Sequence, residues 1–137
     1  MSDRAINHDL LDDMKRYLAR SDRFSRIYTE PEDNPDALTC SFDTSWYPPA
    51  VDEVMLNIRW RINNDFEMHY RELYTDGESW ECRWDRHPNS HNTREHYHPG
   101  PDAARDEAED AEFPDDWRDV FTLILSEIED RQKAFWE

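Results

Sequence analysis

Four histidines fall within twelve residues, His87, His91, His96 and His98, with Arg94 and Tyr97 among them. Histidine is the side chain whose ordinary pKa lets it take or give a proton near neutral pH. Beside arginine it suits phosphate chemistry. Imidazole moves the protons, and guanidinium holds the charge that builds on the phosphate oxygens. RNA offers a 2′-hydroxyl to deprotonate and a phosphodiester to polarise, and Tyr97 adds a ring to stack on a base or a hydroxyl to donate. A metal site is the competing chemistry. His96 and His98 are alternate residues, so on a strand they point the same way, and Asp85, His87 or His91 would complete a shell. The alternative metal set is therefore His96, His98 and Asp85. No standard zinc spacing is present, so the reading carried forward is a metal-independent one that needs no cofactor. The bland alternative is a loop whose histidines make only structural hydrogen bonds.

The residues upstream must hold this segment in place. From Val54 onward alternate residues are apolar: Val54, Leu56, Ile58, Trp60 and Ile62. That is strand period with one face buried. A turn at Asn63–Asn64–Asp65 leads to a second strand with Phe66, Met68 and Tyr70 on one face. A turn at Asp76–Gly77 leads to a third, with Trp80, Cys82 and Trp84. The three make an antiparallel meander whose polar face carries Arg59, Arg61, His69, Arg71, Arg83 and Asp85. Residues 59–98 hold six Arg against eight acidic residues, while the remainder holds ten basic against twenty-five acidic. The middle is thus nearly neutral on a very acidic chain, and five of the six His lie there. This face is read as the anion site, with Arg59, Arg61, Arg71 and Tyr97 contacting RNA. The alternative is a solvated face whose arginines pair with Glu67, Glu81 and Asp85.

Around the meander lie flanking elements. Ile6, Leu10, Leu11, Met14, Tyr17 and Leu18 trace one face of an N-terminal helix. Phe24–Tyr28 and Leu38–Phe42 read as short strands around a loop holding Pro31 and Pro35. Trp117, Val120, Phe121, Ile124, Ile128 and Phe135 trace a C-terminal helix that starts near Pro114–Asp115–Asp116. That stripe closes the core, or offers a groove to a partner helix. The fold class is α+β, an antiparallel meander flanked by an N-terminal and a C-terminal helix. One domain is expected over residues 1–137. The sheet and His-rich region take 53–98, an acidic surface loop 99–113, and the C-terminal helix 114–136.

With 33 Asp+Glu against 16 Lys+Arg, the formal net charge is −17, which excludes a generally cationic nucleic-acid coat. Fourteen of the sixteen basic residues are arginine. Such a surface suits a salt-rich cytoplasm, where self-repulsion is screened. No apolar run is long enough to span a bilayer, and the N-terminus lacks a signal-peptide pattern, so a cytoplasmic protein with no membrane partner is expected. Cys40 and Cys82 are far apart and read as small apolar fillers. No helix-turn-helix pattern supports a DNA-binding regulator.

Arg83-Trp84-Asp85, then His87-Pro88, then a His-x-His ending at His98 before a proline, resembles the TumE-like group of toxins from two-gene toxin–antitoxin modules. Tyr70 in the run Met68-His69-Tyr70-Arg71-Glu72 belongs to the same likeness, which covers residues 54–98 and is placed in a halophilic archaeal branch. The resemblance implies that Arg83, Asp85, His87, His91, His96 and His98 carry the function. It also implies an RNA target, the usual one for compact toxins, and a partner antitoxin with a DNA-binding domain. An endoribonuclease is expected, with His69, His96 or His98 as acid and base and Arg83 or Arg94 on phosphate. A homodimer is compatible with this reading. The runner-up is a non-catalytic metal-binding or protein-interaction domain.

Overall fold

The computed structural model describes residues 4–31, 36–87 and 95–137. The elements run α1 (His8–Leu18), β1 (Phe24–Glu30), β2 (Ala37–Phe42), β3 (Val51–Trp60), β4 (Phe66–Tyr74), β5 (Ser79–Arg86), β6 (Glu95–His98), β7 (Glu109–Asp110) and α2 (Trp117–Ala134). The strands form one antiparallel sheet in sequence order, β1 to β7, so the class is α+β as expected. Two strands exceed the expectation. β6 folds back on β5, and the acidic stretch supplies a 3-10 turn at Arg105–Glu107 and the two-residue β7.

Strand alternation gives the sheet two unlike faces. Leu38, Cys40, Phe42, Val54, Leu56, Ile58, Trp60, Phe66, Met68, Tyr70, Cys82 and Trp84 are buried in one apolar cluster with residues of both helices. α1 contributes Leu11, Met14 and Leu18, and α2 contributes Val120, Phe121, Ile124 and Ile128. Both helices therefore cover the same face. Each starts on a side-chain cap: Asn7 accepts from the Leu10 amide, and Asp116 accepts from the Arg118 amide. Ile6 lies outside α1 and instead bridges to Arg61. No helix among the described residues is long and apolar enough to cross a membrane.

The buried stripe of β3 ends sooner than its apolar pattern. Ile62 is 60% exposed, because the strand stops at Trp60 and the chain is already turning. The Arg61 amide donates to the Asp65 carbonyl, and Asn64 takes a φ of 73°. Asparagine tolerates that region, and here its side chain is used twice. Asn64 Oδ1 accepts from Trp60 Nε1 at 2.9 Å, and Nδ2 donates to the Asp115 carbonyl at 2.8 Å.

On the helix-covered face one carboxylate, Glu72, is wholly buried. It accepts from Tyr70 (2.6 Å) and Tyr74 (2.8 Å), and from Arg131 Nε (2.7 Å) and Nη2 (2.8 Å) on α2. The Arg131 guanidinium lies 3.4 Å from the centroid of the Trp80 ring. Gly100 lets Trp80 lie there, since a Cβ at position 100 would meet the indole at 2.1 Å.

Candidate functional site

The face turned away from the helices carries the polar residues of the strands, in rows that cross the sheet. One row runs His69 (β4), Arg83 (β5), His98 (β6), each the register partner of the next. The neighbouring row runs Glu67, Asp85, His96 and Asp110, from β4 to β7. Adjacent strands stand about 4.8 Å apart, so each row sets ionisable groups at roughly that spacing. His87 follows β5 directly and has the parity of Arg83 and Asp85.

Asp85 is the hub and is 2% exposed. Its Oδ2 lies 2.9 Å from His98 Nε2 and accepts from Arg83 Nε at 3.3 Å. Its Oδ1 faces His87 Nε2 at 3.5 Å and His96 Nδ1 at 3.7 Å without accepting a hydrogen bond. A buried acceptor left in that state costs about 1–3 kcal/mol, so the arrangement is not one that stability alone selects. His96 and His98 are themselves buried, at 4% each. Burial pushes the His98 pKa below its ordinary value; the Asp85 carboxylate opposes that shift and the Arg83 cation adds to it. His98 Nε2 stands between Asp85 Oδ2 at 2.9 Å and Arg83 Nη2 at 3.3 Å.

The exposed part of the face is more loosely tied. His69 Nε2 lies 3.2 Å from Glu81 Oε1, and Arg71 Nε lies 3.5 Å from Glu81 Oε2. The side chains of His69, Arg71 and Arg83 are 36%, 46% and 30% exposed. Arg59 is exposed at the register position facing Glu67. Arg61 sits at the sheet margin, donating to the Arg4 carbonyl at 2.7 Å and to Glu67 at 3.3 Å. The pairing that the alternative of a solvated face describes is thus present for Arg61 with Glu67, Arg71 with Glu81 and Arg83 with Asp85.

The structure brings together His69, Arg71, Arg83, Asp85, His87, His96 and His98. It separates Tyr97 from them. Lying between His96 and His98, Tyr97 points to the opposite face, where its ring packs on Trp84 with centroids 5.6 Å apart. Burial there raises its pKa, and the neighbouring Cys82 adds to the rise. His91 and Arg94 lie outside the described residues. Two acids next to the site were not nominated from sequence. Glu81 has a readable signal, since it is two residues before Arg83 on the same strand face. Asp110 has none, because its place beside His96 depends on the pairing of β6 with β7.

The sequence model of the family described as Toxin TumE matches residues 11–132, most of the chain. No curated protein and no solved structure matches it.

Proposed function

The chain belongs to the TumE toxin family, and we propose that this toxin acts on RNA through the arginine- and histidine-bearing face of its sheet. One observation carries the reading: His69, Arg83 and His98 stand in a row on three neighbouring strands, with Arg71 beside them, on a molecule of net charge −17. An exposed imidazole beside two partly exposed guanidiniums at strand spacing suits one phosphodiester. Arg83 and Arg71 hold the phosphate. The Arg71 pair with Glu81 does not prevent this, since ion pairs of that exposure contribute little and exchange readily, while Arg83 stays on the buried Asp85 through Nε and turns its other N–H groups to the phosphate. His69, the exposed member of the row, transfers the proton, with Glu81 holding its ring. His96 and His98 are too buried to touch a substrate directly, and with Asp85 they fix the Arg83 guanidinium from behind. The toxin's partner is an antitoxin. It is the component proposed to carry a DNA-binding domain, because a net charge of −17 disfavours a broad DNA interface on this chain.

The test is RNA integrity. Purified protein is incubated with total RNA in molar potassium chloride, beside His69→Ala and Arg83→Ala variants that retain the native circular dichroism. Each substitution is expected to slow cleavage by roughly 100-fold, the usual contribution of one proton-transfer or charge-stabilising group. Wild-type protein that leaves RNA intact, or variants that cleave at the full rate, would overturn the reading.

A further inference from the structure

Asp85 divides its two oxygens between unlike surroundings. Oδ2 is occupied by His98 and Arg83. Oδ1 is buried, accepts no hydrogen bond, and faces two imidazole nitrogens at 3.5 and 3.7 Å. Those separations are long for hydrogen bonds, which cluster near 2.7–3.2 Å. They suit a different geometry. Ligand atoms about 2.1 Å from one tetrahedral ion stand about 3.4 Å from each other. One ligand atom from each of Asp85, His87 and His96 lies within 4.8 Å of the other two.

We infer that Asp85, His87 and His96 bind one divalent transition-metal ion of the zinc class. Two imidazoles and one carboxylate suit such ions, whereas magnesium and calcium prefer shells made of oxygen. Three protein ligands leave a further position for water or a phosphate oxygen, as in reactive rather than structural sites. The outer groups on the carboxylate fit as well. His98 and Arg83 orient the carboxylate through Oδ2, whereas the second ring nitrogen of His96 makes no hydrogen bond and has Asp110 Oδ1 at 3.9 Å. His87, whose side chain is 36% exposed, gives the ion a way in. This set differs from the His96, His98 and Asp85 alternative suggested by sequence. His98 meets the opposite oxygen of the carboxylate, and His87 takes its place. Use of the ion on RNA rests on the proposed function; binding of the ion does not.

Full-length protein stripped with chelator is titrated with zinc, and separately with cobalt(II) as an absorbing probe. One ion per chain is expected, with cobalt bands typical of a low-coordinate nitrogen–oxygen site. His87→Ala and His96→Ala should each weaken affinity by 100-fold or more, while His69→Ala binds as wild type. His98→Ala, which loosens the carboxylate, should cost 10–100-fold. Because His96 is buried, His87→Ala keeps the test decisive if the His96 variant does not fold. Absence of stoichiometric binding, or unchanged affinity in His87→Ala, would overturn the inference. The RNA assay separates the two readings. A bound ion in a protein that leaves RNA intact keeps the site and removes the RNA reading. Cleavage by protein that takes up no metal does the reverse.

Discussion

Two buried carboxylates, Glu72 and Asp85, stand on opposite faces of the sheet in different company. Glu72 is saturated by two tyrosine hydroxyls and a two-pronged arginine, so its charge is fully compensated. Removing that arginine strands a buried charge. Arg131→Ala is therefore expected to cost about 3 kcal/mol in chemical denaturation. Adding Glu72→Gln in the same chain should restore part of the loss, because the amide no longer needs a cation. Equal stability of Arg131→Ala and wild type would show that water replaces the guanidinium. Asp85 has one oxygen hydrogen-bonded and one not. Much of this was legible beforehand. Arg83 and Asp85 share one parity, and His96 and His98 share another, which is readable in sequence; the register that sets both pairs on one face is not. The same parity turns Tyr97 away from the site. It says nothing of which carboxylate oxygen each histidine meets, so His87 and His98 could not be sorted without coordinates.

At the level of elements, β3, β4 and β5 were readable because each alternates apolar and polar residues over at least four positions, with turn residues between. β6 is four residues, Glu95–His98, and Tyr97 is its one apolar ring, so no alternation announces it. β7 is two acidic residues and reads as solvated chain until its partner strand is known. The docking of α2 on β5 is equally non-local. Glu127 accepts from Trp84 Nε1 at 2.7 Å. Burial raises the Glu127 pKa above its ordinary 4.5, and the Trp84 hydrogen bond offsets only part of that. A carboxyl whose folded pKa is raised favours folding fully below its unfolded pKa, and that benefit is lost as pH rises through the folded value. Glu127→Gln keeps an oxygen for Trp84 and carries no charge. It should melt above wild type at pH 7, and the difference should disappear toward pH 4. A lower melting point for the glutamine variant at pH 7 would show that the charge itself holds the helix.

The whole molecule carries 33 acidic against 16 basic residues, and the compact state concentrates that repulsion. Raising potassium chloride from 0.1 to 1 M shortens the screening length from about 10 to 3 Å, so the melting temperature should rise on the order of 5 °C. A flat or falling curve would mean that local ion pairs outweigh the net charge. The acidity is spread over the rest of the chain, while residues 59–98 are nearly neutral. The strand order has a consequence of another kind. Because β1 to β7 are laid down in sequence order, each strand meets its neighbour as soon as it is made, without waiting for distant chain. The two groups that face Asp85 from β6 come late in that order. A ribosome that has exposed the first 87 residues displays Arg83 and Asp85 but neither His96 nor His98. The site is therefore assembled only once β6 has been made, and until then a nascent chain holds an unfinished weapon.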